Sequence, residues 1–321
     1  MAAARTVVTG GVGFIGYHVT RALLARGDDV VVVDDFSDAP YPRTSKRRNQ
    51  ADLLAEFARV RVVEACVTDR RALTPLFAEC DGVVHLAGLA GVRASFADPA
   101  RYARVNVEGT AVVQEIAREA GIERFVFASS SSVYGNATPL PALEDSPAVA
   151  PESPYAATKR GAELVASALV RCNPRMSCTA LRFFTVYGPR QRPEMAITSF
   201  VSAALAGRPI TLFGDGSMRR DFTHVDDIVR GVLAALDHAP AGFRAYNLGS
   251  GAPVDLTTLV RSIAHAADAE LRVEHATVPL GDVQATFADI ARARDELGWT
   301  PQIRLVEGLP SVVAWIRQQR E

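Results

Sequence analysis

The chain has 321 residues, 48% of them hydrophobic and 22% charged, a balance that excludes a disordered chain and suits one large α/β unit or two fused ones. A net charge of −1 provides no basic face for nucleic acid, and no apolar run reaches the roughly 20 residues a membrane helix needs. Cys66, Cys80, Cys172 and Cys178 show no CxxC or other metal spacing, so reduced, mostly packing thiols and no metal site are expected.

The first residues lead straight into a strand pattern, with no length for a signal peptide, and a cytoplasmic protein is expected. Strands are predicted at 5–9 (RTVVT), 29–34 (DVVVVD), 59–65 (RVRVVEA), 82–88 (GVVHLAG) and 124–130 (RFVFASS). Runs apolar at consecutive positions suit strands covered on both faces. Helical patterns at 14–26, 99–119 and 153–171 alternate with them, which predicts a doubly wound parallel α/β sheet of the Rossmann type. After SCTALRFF (177–184), Pro and Gly cluster in YGPRQRP and LFGDGSMRRDF, and shorter helices return at 225–237 and 256–267. We expect a cofactor domain over 1–182 and a smaller α/β substrate lobe over 183–321, some segments of which return to the main sheet. The cleft between them is the expected site.

In VVTGGVGFIG, Gly10, Gly13 and Gly16 join the first strand to the first helix. A turn without Cβ atoms lets a pyrophosphate approach the free N–H groups of a helix N-terminus. Asp34, 18 residues after Gly16, closes the second strand where it can accept from both ribose hydroxyls and repel a 2′-phosphate, so NAD is expected over NADP. The basic run Arg43, Lys46, Arg47 and Arg48 reads as a solvated helix face.

SPYAATK (153–159) begins with an N-cap, Ser153, and Pro154 at the first helical position. Tyr155 and Lys159 are four apart and share a helix face. A phenol of pKa ~10 is a poor base at neutral pH, and the Lys159 cation is expected to lower it. ASSSSVYG (128–135) brings four hydroxyls to the carboxyl end of the fifth strand, where ligands of such sheets lie.

These features together resemble the extended short-chain dehydrogenase/reductase family of sugar-nucleotide epimerases and dehydratases. HLAG (85–88), NVEGT (106–110), RRDFTHVDDI (219–228) and YNLGSG (246–251) carry the resemblance nearly end to end. It implies that Tyr155 is the base, that Lys159 orders the nicotinamide ribose, and that Ser130 hydrogen-bonds the reacting oxygen. It also implies a retained NAD contacted by Gly10, Gly13, Phe14, Ile15, Gly16, Asp34, Phe36, Ser37, Leu86, Ala87, Gly88 and Asn106, and a homodimer formed through a helical face. In EACVTD, Cys66 stands where many relatives carry an Asp near the adenine.

Once C4 of a nucleotide sugar is a ketone, epimerisation, dehydration and loss of CO2 compete. Dehydratase relatives place Asp-Glu after the catalytic hydroxyl, and decarboxylase relatives keep a Glu just before VYG. This chain has Ser131 and Ser132 there, and neither supplies a carboxylate for proton transfer at C5. Epimerases of neutral UDP-sugars have Asn at the position of Thr185. RFFTVYGPRQRPEMA (182–196) instead resembles the loop of UDP-glucuronate 4-epimerases, as do GLAGVRAS (88–95), DFSDAPYPRTSKRR (35–48) and LGDVQATFAD (280–289) in their places.

The expected substrate is thus UDP-glucuronic acid, converted to UDP-galacturonic acid. Thr185, Ser131 and Ser132 would receive its C6 carboxylate, with Arg192 reaching that group or a ring hydroxyl. By the same resemblance Arg220 meets the diphosphate, Asp282 the uridine ribose, and Arg93 the diphosphate or the sugar. Arg182 ends a buried strand, Arg190 reads as loop surface, Arg219 as a solvated neighbour, and His85 and His224 as packing and hydrogen-bonding groups. The competing readings are a UDP-glucose or N-acetylhexosamine epimerase, a UDP-glucuronate decarboxylase, and a silent NAD-binding scaffold. Retention of Tyr155, Lys159 and Ser130 argues against the last.

Overall fold

Seven parallel strands form the central sheet of the protein in a computed structural model that describes residues 4–38, 41–148, 150–278 and 281–320. Ala39, Pro40 and Leu280, within two of the segments compared above, lie outside the described residues. The strands are β1 (Arg5–Thr9), β2 (Asp29–Asp34), β3 (Val60–Glu64), β4 (Gly82–His85), β5 (Arg124–Ser130), β6 (Ser177–Phe183) and a late one, Gly242–Leu248. Their order across the sheet is 242–248, β6, β5, β4, β1, β2, β3. Chain direction around the sheet reverses between β1 and β4, and their carboxyl ends open the crevice where ligands bind in such folds.

Successive residues on these strands face two different cores, so the apolar runs are continuous. Val8, Val32, Val84 and Val126 pack with Leu23 of helix α1 (Phe14–Arg26), with Ile228 and with Trp299. Val7, Val31, Val83 and Phe125 pack on the opposite face with Ile116 and Ala166. Each fully buried side chain of this kind contributes about 1.5–3 kcal/mol. A third core holds the C-terminal lobe together, with Tyr187, Ile197, Val201, Leu259, Ile263 and Leu309 at its centre.

β1, β2, β5 and α1 occupy their predicted spans. The run at 82–88 leaves the sheet after His85, because Leu86 and Ala87 turn to donate their N–H groups to the Thr9 carbonyl and hydroxyl. The helix over 99–119 contains a wide π turn at Arg104–Glu108, which turns Asn106 inward. The four cysteines form no disulfide, and Cys172 is exposed rather than packed. Cys178 is buried, which pushes its thiol up. Among the described residues no helix is long and apolar enough to cross a membrane, and no group of His, Cys, Asp or Glu could hold a metal ion.

Candidate active site

The turn after β1 is shaped for close approach. Gly10 has φ +70°, and a Cβ there would lie 2.6 Å from the Ala87 nitrogen. A Cβ on Gly16 would lie 2.0 Å from the Gly10 carbonyl oxygen. Gly13 is the N-cap of α1 and offers no side chain to its first N–H groups, so Phe14 and Ile15 begin a helix whose amide end is open to an anion. Leu86, Ala87 and Gly88 run past this turn from the neighbouring strand. The cradle fits the pyrophosphate of a dinucleotide.

At the end of β2, Asp34 is buried, and its Oδ1 accepts from Phe36 N and Lys46 Nζ, each at 2.9 Å. Burial raises the Asp34 carboxyl, and the Lys46 cation opposes the shift. Arg43, Arg47 and Arg48 of the basic run are exposed, as a solvated face requires, and Lys46 departs from it. Lys46 is buried, Arg43 donates to the Phe36 carbonyl at 2.7 Å, and Arg47 stacks 3.6 Å above the Phe36 ring. That ring is fully covered and serves the core, so only the backbone of Phe36 is left for a ligand. Ser37 donates its N–H to Asp35 beside this pair.

The helix Pro154–Leu169 starts at Ser153, whose hydroxyl accepts from Ala156 N at 3.2 Å. Its first two turns present Tyr155 and Lys159 to the end of β5. Lys159 Nζ donates to the Ala128 carbonyl at 2.9 Å, and burial lowers its pKa to about 8. The Ser130 hydroxyl donates to Ser132 Oγ at 3.1 Å and stands beside the Tyr155 phenol. Burial raises the Tyr155 phenol, while Ser130 and the Arg192 cation pull it down. Arg192 is therefore a second cation at this end of the site, besides Lys159, whose ammonium donates to the Ala128 carbonyl. Asn106 spends its amide on Leu89 and on Thr158 Oγ1, tying the 86–91 loop to the helix.

Thr185 opens the short strand Thr185–Tyr187 and is half-buried, as are Ser131 and Ser132; they follow the neighbouring ends of β6 and β5, where Phe183 pairs with Ser130. Arg192 Nη1 lies 3.4 Å from the Ala90 carbonyl and 3.1 Å from Glu194, an exposed partner. Arg93 stacks on Phe213 and lies 3.7 Å from Asp282. Arg220 donates to the carbonyls of Arg219 and Gln284; burial lowers its pKa and Asp282 opposes this. Arg93, Arg220 and Asp282 thus gather on one wall.

Other residues have structural roles. Arg182 is buried in a bidentate pair with Glu163. Arg190 is not loop surface: it is nearly buried, paired with Asp52 at 2.6 Å, and held between the rings of Tyr17 and Trp315. His85 bridges Thr9 and Thr110, and burial lowers its pKa to about 3. His224 caps the helix Val225–His238 and contacts Ser311. Arg219 is exposed and donates to the Pro253 carbonyl. A cleft of about 640 Å³ behind the Arg190 loop, lined by Arg48, Gln191 and Trp315 among others, includes none of the glycine-turn or Tyr155 residues. Sequence reasoning missed Lys46 and Glu163 as parts of the site; the signal for Glu163 was its spacing of four and eight from Lys159 and Tyr155.

The profile of the NAD dependent epimerase/dehydratase family matches residues 6–249. The chain belongs to this family. Among its relatives, a UDP-glucuronate 4-epimerase of Thermodesulfobacterium geofontis is 37% identical over 98% of this chain and 97% of its own length. UDP-glucuronate 4-epimerase 4 of Arabidopsis thaliana is 39% identical over 96% of this chain and 74% of that protein. The crystal structure of UDP-glucuronic acid 4-epimerase from Bacillus cereus, in complex with UDP-glucuronic acid and NAD, superposes with a TM-score of 0.89 at 32% identity, covering 98% of this chain and 99% of that one.

Proposed function

We propose that the protein is a 4-epimerase that interconverts UDP-glucuronate and UDP-galacturonate with a retained NAD. A bound NAD would supply reversible hydride acceptance at the sugar carbon. Tyr155 accepts the C4 hydroxyl proton, Ser130 holds the oxygen, and Lys159 orients the nicotinamide ribose. The glycine turn, Asp34, the 86–88 segment and, through its grip on Leu89, Asn106 form the cofactor side. Arg220 and Arg93 face the diphosphate, and Asp282 the uridine ribose.

One observation carries the preference for an acid sugar: Arg192 Nη1 reaches the Ala90 carbonyl that also accepts from Tyr102 Oη, and the Tyr102 ring stands edge-on to that of Tyr155, so a cation sits at the reacting end of the cleft. Its partner Glu194 is 55% exposed, and an exposed pair is weak enough for a substrate carboxylate to replace it. Thr185, Ser131 and Ser132 complete a clamp that holds the C5–C6 bond near the plane of the C4 ketone. Loss of CO2 requires that bond roughly perpendicular to the plane, so the clamp suppresses decarboxylation. No carboxylate at positions 131 and 132 supports C5 proton transfer.

The cofactor domain spans 1–182, and 183–321 is mainly the substrate lobe. A cytoplasmic homodimer, paired through a helical face, is part of the proposal. The test is the ratio of kcat/KM for UDP-glucuronate to that for UDP-glucose. A strong preference for the acid supports this reading, and equal turnover of both contradicts it.

A further inference from the structure

Behind the reactive pair lies a buried charged network. Glu163 is fully buried, and both of its carboxylate oxygens are used. Oε1 accepts from Ser129 Oγ at 2.5 Å and from Arg182 Nε at 2.8 Å. Oε2 accepts from Arg182 Nη2 and Arg160 Nη1, each at 2.8 Å. Arg182 also donates through Nη1 to Tyr134 Oη and the Glu144 carbonyl, each at 2.9 Å.

The placement of these contacts is specific. Glu163 follows Lys159 by four residues, on the face that carries Tyr155 and Lys159. Ser129 stands on β5 between Ala128, whose carbonyl takes the Lys159 ammonium, and Ser130, whose hydroxyl meets Tyr155. Arg182 stands on β6, paired in register with Ser129. One carboxylate therefore joins the helix bearing the reactive pair to the two strand ends bearing its partners. An apolar cluster could pack these elements as stably, because a buried ion pair gains little over well-packed hydrophobic groups. A carboxylate adds fixed geometry and a negative charge.

We propose that Glu163 is the positioning residue of the reactive pair, setting the height of Tyr155 and Lys159 against the strand ends and supplying the counter-charge behind the buried ammonium. The role in turnover rests on the epimerase reading; the charge role does not. Lys159 shares its helix face with Tyr155 and Glu163, donates to the Ala128 carbonyl on β5, and acts on His85 on β4, whose imidazole stays neutral. Arg192 approaches the same end of the cleft from the substrate loop. Among these groups Glu163 is the anion that raises the Lys159 pKa against the effect of burial.

The chain has only two lysines, Lys46 and Lys159, so lysine labelled with carbon-13 at Cε reports Lys159 as one of two NMR signals. In Glu163→Gln the Lys159 titration should move to lower pH by about one unit. In Glu163→Asp, which keeps the charge, it should stay near the wild-type value even where urea melts show lost stability. With substrate, Glu163→Gln should lower kcat about ten-fold with little change in KM. A Lys159 titration unmoved in Glu163→Gln, or moved equally in both variants, would overturn the proposal. Should Glu163→Gln not fold, Arg160→Met removes one neutralising guanidinium from a half-exposed position, and Lys159 should then titrate higher; no movement would overturn the proposal. Wild-type enzyme without activity on UDP-glucuronate would refute the epimerase reading, and the NMR titration would still decide the charge role.

Discussion

Lys46 Nζ lies 2.9 Å from Asp34 Oδ1, and both side chains are buried. The acid at the end of β2, beside the glycine turn, is therefore held by a cation from the next helix, Arg43–Glu56, and is not a free carboxylate. This pair fixes the direction of Asp34 and offsets its charge.

Lys46→Met should destabilise the protein by about 3 kcal/mol, because it leaves a buried carboxylate without its partner. Urea unfolding measures this. Adding Asp34→Asn should recover part of the loss, since the uncompensated charge is then gone, while NAD carried through purification should fall in both variants.

Arg192→Ala and Thr185→Val should reduce kcat/KM for UDP-glucuronate about 10- to 100-fold, the range for losing a hydrogen bond to a charged group. UDP-glucose turnover should change much less. Steady-state kinetics on both substrates checks this, and equal losses on the two would remove the carboxylate clamp from the account.

Burial lowers the pKa of Lys159 to about 8, well below that of a solvated lysine. Activity that needs the ammonium should decline as pH rises through about 8. The stability effect has the opposite sign: between about pH 8 and 10.4 the unfolded chain binds more protons than the native one, so this group makes stability rise with pH. The stability advantage of Lys159→Met over the wild type should therefore shrink as pH rises through that window, read from urea midpoints.

Arg190 has its guanidinium 3.9 Å from the Tyr17 ring and 4.5 Å from that of Trp315, and it pairs with Asp52. It joins α1, the helix Arg43–Glu56, the substrate loop and the C-terminal helix Leu305–Gln318. Arg190→Ala should cost about 2–3 kcal/mol and alter Trp315 fluorescence. Arg190→Lys should recover little, because an ammonium does not stack between two rings as a planar guanidinium does.

The doubly wound sheet was legible because its strands are buried on both faces and read as unbroken apolar runs, as in DVVVVD. The glycine turn and the Tyr155/Lys159 spacing were legible because their geometry is local. What escaped depends on partners distant in sequence. Lys46 sits in RTSKRRNQ, which has no apolar stripe, and it is buried only because its helix turns a polar face onto Asp34. Arg190 looks like loop surface until Trp315, 125 positions later, folds back over it. The Tyr155/Lys159 spacing does not reveal the Ala128 carbonyl that takes up the ammonium, because that group lies on another element.

The most direct measurement is proton NMR of the product formed from UDP-glucuronate by purified protein with no NAD added. The account predicts UDP-galacturonate with its carboxyl group retained, made by cofactor already bound. A UDP-pentose with release of CO2, or turnover confined to UDP-glucose and UDP-galactose, would contradict it.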